Sequence, residues 1–396
     1  MPFIFTCFVM KKKIIIFIIC LIILLVCWIG WYFWFNNKDS SYLTGSLDND
    51  WIHNTQQESD WNIHVLSSID DEVVADSMRC GTFQLVWNDM VNEVVKQDVV
   101  FNPQPTIVEN LNKQTFTKRY LSPTSYYSKF WLLTLDLKSE IEKWIKEKFN
   151  ETSDILDQWA DWSDVPQSDD YYEWKAEKRY WFYAMLKKIF KFKNIFDELD
   201  KWKFADKYDD IKYFWIKWDS DSSLFKQVYV FYYNSDNDFA VALKTEEWED
   251  IILVRWLWWN SFIDIYDNIL KNGKQYKWKH NFTKNDYLKV PELKFKSLTE
   301  FDELENKKFY AEDWDICRII KALQSIELKL DKEWGEIKSE AWIDMSKTNS
   351  VISIEDYDPE PRYFYFDQPY LIMLKESDKD LPYFAAQISD ITLFQK

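Results

Sequence analysis

The chain has 396 residues, of which 47% are hydrophobic and 29% are charged. This balance is typical of a folded globular protein and argues against a disordered chain, and the length suffices for one large domain or two ordinary ones. Lys and Arg number 49 against 66 Asp and Glu, so the net charge is -17, which argues against binding to the phosphate backbone of nucleic acids.

The N-terminal part contains an uncharged apolar run at residues 14–35, which follows three lysines at 11–13. A helix of about 20 apolar residues spans a bilayer, and basic residues before the run favour a cytoplasmic N-terminus, 1–13, and an exported body. The sequence therefore predicts a single-pass membrane anchor. A cleaved leader, which would end in small rather than aromatic residues, is the alternative. The polar, aperiodic residues 36–78 predict a tether, and 79–394 predict the folded domain.

In the first half of the body, the spacing of apolar residues predicts two helices and one strand. Residues 83–95 repeat apolar side chains at helical spacing, and 98–105 predict a short strand that is ended by prolines. Residues 136–149 predict an amphipathic helix, in which Ser139 and Glu142 have the spacing of a capping box.

The second half of the body predicts mostly strands. Helices are predicted at 260–273, where Asn272 and Gly273 supply the stop signal, and at 312–323. Strands are predicted at 180–197, together with a following turn, at 227–234, 238–245 and 325–330, and in the stretches YFYFDQPYLIMLKES and LPYFAAQIS. Because helices and strands are mixed without βαβ regularity or an internal repeat, the predicted fold class is α+β in one large domain.

The residue clusters on which most enzymes depend are absent from the sequence pattern. Three histidines, His53, His64 and His280, are too scattered to form a cluster, and five scattered glycines leave no phosphate-binding loop. No cysteine pair has metal-binding spacing. Cys80 and Cys317, the two cysteines of the body, could form one disulfide or remain two buried thiols. The sequence predicts neither an enzyme nor a bound cofactor or metal.

Several short motifs of the body follow one another in a recognisable order. They are Phe101-Asn102-Pro103, the Asp136 and Trp144 spacing before a helix, VPELKFKSLTEFDEL at 290–304, and FDQPY followed by LIML at 366–374. In this order they resemble motifs of the serpin family. The resemblance spans about 80–394 and implies a serpin-like α+β fold, a single large domain with a central, mostly antiparallel sheet and a reduced region of helices B to E.

The resemblance also implies that DKEWGEIKSEAWIDM, residues 331–345, contains the hinge of a reactive centre loop. In serpins a serine or cysteine protease attacks a bond in this loop, and the cut loop enters the central sheet as a new strand before water can release the acyl-enzyme. The candidate hinge residues are Glu333, Trp334, Gly335, Glu336, Ile337, Lys338, Ser339, Glu340 and Ala341. The candidate scissile bond lies among Lys347, Thr348, Asn349 and Ser350.

Insertion of the hinge requires every second side chain to be small or apolar, because burying an unpaired charge is costly. In an ungapped alignment with the family, the inward side chains are Gly335, Ile337, Ser339, Ala341 and Ile343. If Trp334 is instead treated as an insertion, the charged side chains of Glu336, Lys338 and Glu340 face inward and block insertion, since a one-residue slip exchanges the two faces; the protein would then be a non-inhibitory serpin. We prefer the ungapped alignment. A third possibility is that the stretch is only the exposed end of a sheet strand.

Together these inferences predict a membrane-tethered, extracellular, serpin-like protein that is not an enzyme and inhibits serine or cysteine proteases by loop insertion. We expect it to be monomeric, with the membrane and a protease as its partners and no nucleic acid among them. The alternative is a non-inhibitory serpin fold that acts as a binding or adhesion module at the cell surface.

Overall fold

The computed structural model describes residues 63–153, 155–156, 162–174, 178–255, 260–277, 280–339 and 360–395. The helices in these ranges are α1 (Thr82–Met90), which continues as a π-helical turn (Val91–Val95), α2 (Thr106–Asn112), α3 (Leu135–Phe149), α4 (Ser222–Phe225) and α5 (Phe262–Gln275). The strands are β1 (His64–Leu66), β2 (Ser77–Cys80), β3 (Tyr126–Leu132), β4 (Tyr180–Lys191), β5 (Asp197–Phe204), β6 (Tyr208–Ile216), β7 (Val228–Ser235), β8 (Asp238–Lys244), β9 (Glu249–Arg255), β10 (Tyr287–Pro291), β11 (Leu293–Glu300), β12 (Lys308–Tyr310), β13 (Ile316–Arg318), β14 (Leu323–Leu330), β15 (Trp334–Ser339), β16 (Tyr363–Tyr365), β17 (Tyr370–Glu376) and β18 (Phe384–Ile388).

These strands form three larger sheets and one hairpin. The main sheet has the order β1-β2-β18-β17-β9-β8-β7, the four-stranded sheet β16-β10-β6-β5, and the central sheet β11-β14-β15-β4-β3, while β12 pairs with β13. Every neighbouring pair in the central sheet is antiparallel. The predicted α+β class, with a mostly antiparallel central sheet, is confirmed.

One large hydrophobic cluster joins the three larger sheets. Strands β9 and β17 bury almost every side chain, as their continuous apolar sequences indicate. A second cluster lies between α1, α2 and the β12–β13 hairpin, and a third lies between α3 and the strands β3 and β4. The central sheet is therefore supported by core packing on both faces near α3.

The short strand predicted at residues 98–105 is wrong. The carbonyl oxygen of Val99 accepts hydrogen bonds from the side-chain amides of Asn112 (2.8 Å) and Gln104 (3.3 Å). The backbone N–H of Phe101 donates to Gln104 Oε1 at 2.6 Å. Because side chains satisfy these backbone groups, the segment needs no neighbouring strand.

The helix predicted at residues 312–323 is also wrong. Part of this range forms β13, which pairs antiparallel with β12 and places Phe309 opposite Cys317. Both of these side chains pack toward the second hydrophobic cluster. The β-branched residues of the run ICRII, at 316–320, suit a strand as well as a helix, and the available partner strand decided between the two.

The predicted helices at 136–149 and 260–273 form, but their ends differ from the prediction. The N-cap of α3 is Thr134, whose Oγ1 accepts a hydrogen bond from Leu137 N–H at 3.0 Å, rather than Ser139. Helix α5 continues through Asn272 and Gly273 because its last turn lies against β7. Tertiary packing thus overrides a local stop signal.

The tether predicted at 36–78 extends too far, because residues 63–78 belong to the folded domain. Strand β1 pairs in parallel with β2, and β2 pairs with β18. The polar residues that suggested a tether are used internally: Asp71 Oδ2 accepts hydrogen bonds from the backbone N–H groups of Ser67 (2.9 Å) and Ser68 (2.8 Å).

The predicted anchor at 14–35 lies outside the described residues, as do the other residues up to 62. Among the helices of the described ranges, none is both long and apolar enough to cross a bilayer.

Candidate functional site

The candidate hinge forms β15, which occupies the middle of the central sheet. It pairs antiparallel with β14 on one side and with β4 on the other, so β14 and β4 run parallel to each other. A short turn joins β14 to β15, and its Asp331 Oδ1 accepts hydrogen bonds from the backbone N–H groups of Glu333 (2.9 Å) and Trp334 (3.1 Å). Both pairs that β15 makes are therefore antiparallel, the kind of pairing that is slightly more stable per residue.

The side chains of β15 alternate between the two faces of the sheet. Gly335, Ile337 and Ser339 are buried, whereas Glu336 and Lys338 are only partly buried. The ungapped alignment predicted this alternation, which is confirmed for residues 334–339. The other alignment, which turned the two charged residues inward, is wrong.

Gly335 lies where no side chain fits. It is directly opposite Phe190 of β4, and a Cβ atom added to Gly335 would lie 2.1 Å from Cε2 and 2.4 Å from Cζ of that ring. Phe190 is fully buried, so its ring has little space into which it can withdraw. The glycine therefore permits close contact between the two strands.

A chain of buried hydrogen bonds fixes the other end of β15 to α1. Gln324 Nε2 donates to Thr82 Oγ1 (2.6 Å), and the hydroxyl groups of Thr82 and Ser339 are 2.9 Å apart. Ser339 Oγ donates to the carbonyl oxygen of Ser325 at 3.2 Å. Because the one hydroxyl hydrogen of Ser339 is used in this bond, Thr82 Oγ1 must donate to Ser339 Oγ. The donors therefore run from Gln324 through Thr82 to Ser339.

The outward charges of β15 contact opposite charges beside the strand. Lys187 forms ion pairs with Glu336 (3.1 Å) and Glu151, and Lys338 Nζ lies 3.7 Å from Glu151 and donates to the Thr152 carbonyl oxygen at 3.1 Å. Burial acts to lower the pKa of Lys187, but its hydrogen bonds to the two carboxylates outweigh burial and raise the pKa. Burial acts to raise the pKa of Glu151, but the two lysines outweigh it and lower the pKa. Lys187 and Glu151 are therefore both charged at neutral pH.

The outward charges also match β14 across the strands. Glu336 is directly opposite Lys329, and Lys338 is directly opposite Glu327. Cross-strand pairs of opposite charge stabilise a sheet, whereas like charges in the same position destabilise it. The outer face of β15 therefore fits β14 in this register.

A buried ion cluster lies beside β15 on its inward side. Lys188, which is directly opposite Ile337, forms ion pairs with Glu249 of β9 and with Glu376 of β17, the latter at 2.6 Å. Burial raises the pKa of Glu249 despite the nearby lysine. Burial also acts to raise the pKa of Glu376, but Lys188 and the hydrogen bonds from Ser122 outweigh it and lower the pKa. The cluster connects the central sheet to the main sheet.

Sequence reasoning found β15 but missed the residues that receive it. The run LKKIFK of β4 contains Lys187, Lys188 and Phe190. Its two adjacent lysines point to opposite faces of the sheet. A charged residue on each face of an otherwise apolar strand was the sequence signal that could have indicated ion pairs on both faces. Thr82 gave no signal, because only the fold brings it to Ser339. The remaining candidates, Glu340, Ala341, Ile343, Lys347, Thr348, Asn349 and Ser350, lie outside the described residues.

The described residues also bear on the open questions about thiols and metals. Cys80 is buried and Cys317 is half-buried, and each is a free thiol. One group of acids in the described ranges, Glu300, Asp302 and Glu305, is close enough to hold a metal ion. Lys321 already forms ion pairs with two of them, Glu300 and Glu305, so a lysine ammonium occupies the position that a cation would take.

The chain was compared with known families, curated proteins and solved structures. No family model matches it, and no curated protein matches it. Among solved structures it is similar to Serpin48 of the insect Tenebrio molitor, with 11% identity and a TM-score of 0.36 over 67% of this chain and 75% of that one. It is also similar to two structures of cleaved Serpin 42Da, each with 11% identity, at TM-scores of 0.38 and 0.36 over 64% of this chain.

The chain covers 65% and 64% of the two cleaved Serpin 42Da chains, which is less than two thirds of their length. All three solved structures are serpins, the family that the sequence motifs resemble. At 11% identity and TM-scores of 0.36 to 0.38, the similarity is distant.

Proposed function

We propose that the chain is a serpin-like protease inhibitor in which residues 331–345 enter the central sheet as a strand after a protease has cut the chain downstream. The observation that carries the proposal is the fit of β15 between β14 and β4. Its inward residues are small or apolar. Its outward charges are opposite complementary charges on β14, and although Lys338 is directly opposite Lys187 on β4, Glu151 and Glu336 pair with these lysines. A segment with this pattern is suited to enter a sheet without burying an unpaired charge.

In an inhibitor that holds this segment outside the sheet until it is cut, the free energy gained on insertion would come from the contacts that β15 makes. Ile337 is fully buried, and burying an isoleucine side chain contributes about 1.5–3 kcal/mol. Each of the two neighbouring strands adds backbone hydrogen bonds, at about 0.5–1.5 kcal/mol each. In the proposed mechanism, the serine or cysteine of the protease forms an acyl-enzyme at the cut bond, and insertion distorts the protease before water hydrolyses this ester or thioester.

Incubation of the chain with a panel of serine and cysteine proteases tests the proposal. We expect at least one protease to form an adduct that survives SDS, with cleavage between residues 345 and 350. Ile337→Asp places a charge on the inward face and should turn the chain into a substrate that is cut without forming an adduct. Ile189→Lys is the matched control, because Ile189 is exposed on β4 directly opposite Glu336, so this charge lies on the outer face beside an opposite charge. Clean cleavage of the unaltered chain by every protease, with no adduct, would contradict the proposal.

A second candidate function is a non-inhibitory binding module. One observation favours it: β15 is already paired on both sides in the uncut chain, so the free energy of insertion is no longer available. Thermal unfolding before and after cleavage near residue 345 separates the two functions. An inhibitor that holds its loop outside the sheet should gain a much higher transition temperature on cleavage, whereas a chain with β15 already in the sheet should show little change.

The location of the protein is a separate part of the proposal. Residues 14–35, preceded by lysines, would anchor the chain in the cell membrane as a single span and leave the folded domain outside the cell. Deleting 14–35 should release the protein from the membrane fraction, and added protease should digest the domain of the unaltered protein on intact cells. Retention of the deleted form in the membrane fraction would argue against this anchor.

A further inference from the structure

The segment that follows α3 begins with the tripeptide Asn150-Glu151-Thr152. An asparagine followed two residues later by threonine, with any residue except proline between them, is the acceptor pattern for N-linked glycosylation. Because so short a pattern also occurs by chance, its surroundings in the fold must decide whether it can serve as a site. A glycan is bulky and hydrophilic, so its asparagine has to lie on the surface of the folded domain.

Asn150 lies at the surface, and its side-chain amide is not used by the fold. It is the C-cap of α3, and its backbone N–H donates to the Lys146 carbonyl oxygen at 3.1 Å. The side chain is exposed and forms no hydrogen bond with another residue of the described ranges. Glu147 and Lys148, in the last turn of α3, line a shallow surface depression. An attached sugar would therefore have space beside the end of the helix.

The end of the helix explains the asparagine of this tripeptide but not the threonine. The φ of Asn150 is 54°, in the left-handed conformation with which helices commonly end, at glycine or at asparagine. Thr152 is exposed, and its hydroxyl makes no hydrogen bond within the part of the chain that the structure describes. The fold uses its carbonyl oxygen, which accepts a hydrogen bond from Lys338 at 3.1 Å. A hydroxyl at this position is thus required by the acceptor pattern and not by the fold.

A second match to the pattern, Asn281-Phe282-Thr283, has a different environment. Asn281 is exposed, but its backbone pairs with Tyr229 and Phe282 is buried. Thr283 is half-buried, and its hydroxyl donates to Asp286 Oδ2 at 2.9 Å. Packing and hydrogen bonding account for each residue of this match, so it carries no inference.

We propose that Asn150 is an N-glycosylation site. The inference rests on the exported location proposed above, because the donor, a lipid-pyrophosphate-linked oligosaccharide, meets the chain outside the cytoplasm. Nδ2 of Asn150 attacks C1 of the first sugar, so that a new N–C bond forms, the bond from C1 to the pyrophosphate oxygen breaks, the lipid pyrophosphate leaves and the amide loses one proton. The glycan lies next to Glu151 without replacing its ion pairs to Lys187 and Lys338, so the contacts that hold β15 remain.

The test uses the full chain, produced in eukaryotic cells. Peptide N-glycosidase removes an N-linked glycan and leaves aspartate in place of the asparagine, which peptide mass spectrometry detects at the modified position. We expect this conversion at position 150 in the unaltered chain and in Thr152→Ser, which keeps the acceptor pattern. It should be lost in Thr152→Val, which removes the hydroxyl but keeps the side-chain shape. A role of Asn150 in ending the helix would not distinguish these two variants.

Val94→Thr is the matched control, because it creates the same acceptor tripeptide at the exposed Asn92, which Glu93 follows. A glycan on Asn92 of this variant but none on Asn150 would overturn the inference and leave the exported location standing. A glycan on neither residue would overturn the exported location and the inference together. A glycan that persists on Asn150 in Thr152→Val would also overturn it, since attachment would then not depend on the pattern. None of these results depends on adduct formation with a protease, so they are independent of the inhibitor proposal.

Discussion

Substitution of Gly335 by alanine tests whether β15 lies in the central sheet of the uncut chain. The added Cβ would lie 2.1 Å from Phe190 Cε2, whereas an ordinary contact is at least 3.4 Å. The ring would therefore have to withdraw by more than 1 Å in a densely packed core. Overpacking of this kind costs about 1–3 kcal/mol. Removing a glycine from a strand recovers about 0.5–1 kcal/mol, so we expect Gly335→Ala to lower the free energy of unfolding by about 1–2 kcal/mol.

Urea denaturation of the uncut protein measures this change, with the slope of the transition held constant between variants. Two other glycines calibrate the result. At Gly273 in α5 the nearest atom to an added Cβ is Phe231 Cδ1 at 3.4 Å, so Gly273→Ala should be neutral or stabilising by up to about 1 kcal/mol. At Gly81 the nearest atom is Phe116 Cε1 at 2.3 Å, so Gly81→Ala should destabilise as Gly335→Ala does.

A neutral or stabilising effect of Gly335→Ala, beside a clear loss of stability for Gly81→Ala, would refute the inserted position of β15 in the uncut chain. That result would not end the inhibitor proposal. It would indicate that the hinge lies outside the sheet before cleavage, and the same substitution should then reduce adduct formation with a protease. A destabilising effect together with adduct formation would contradict the assumption that an inserted hinge has no free energy left to use.

Three further predictions concern the buried polar groups near β15. Lys188→Met leaves Glu249 and Glu376 without their cation and should lower the free energy of unfolding, measured by urea denaturation, by about 3–5 kcal/mol. Adding Glu249→Gln and Glu376→Gln to this variant should recover much of the loss. Burial raises the pKa of Glu249 in the folded state above its value in the unfolded state. The contribution of this carboxyl group to stability should therefore be largest below the unfolded pKa and be lost as the pH rises through the folded pKa. The unfolding temperature of Glu249→Gln, measured against pH, should not show this loss. Thr82→Val removes the hydrogen bonds to Gln324 and Ser339 and should lower the free energy of unfolding by about 1–3 kcal/mol in the same urea assay. Thr299→Val, at a more exposed position, is the control and should change it little.

The sequence predicted those features that depend on local periodicity. The alternation of Gly335, Ile337 and Ser339 gave the two faces of β15, and the apolar spacing around Ile141 gave α3. Features that depend on a distant partner could not be predicted in this way. The contact between Gly335 and Phe190 requires β4 as a neighbour, and the helix expected at 312–323 became a strand because β12 was available for pairing.

Charges act together with the short turn at Asp331 to fix β15 in its register along β14. A slip by one residue is excluded because it turns Glu336 inward, but a slip by two keeps the small and apolar side chains buried. In one direction such a slip places Glu336 opposite Glu327, and in the other it places Lys338 opposite Lys329, whereas the observed register pairs each with an opposite charge. Each opposition changes the free energy by only about 0.2–1 kcal/mol. It adds to the turn at Asp331 and to the hydrogen bond from Ser339 Oγ to the Ser325 carbonyl oxygen, both of which a slip would also disturb. Exchanging the charges as Glu327→Lys with Lys338→Glu should therefore recover part of the stability that the single changes remove, since Lys338 also contacts Glu151. A double variant less stable than both single variants would show that this cross-strand pair does not help to set the register.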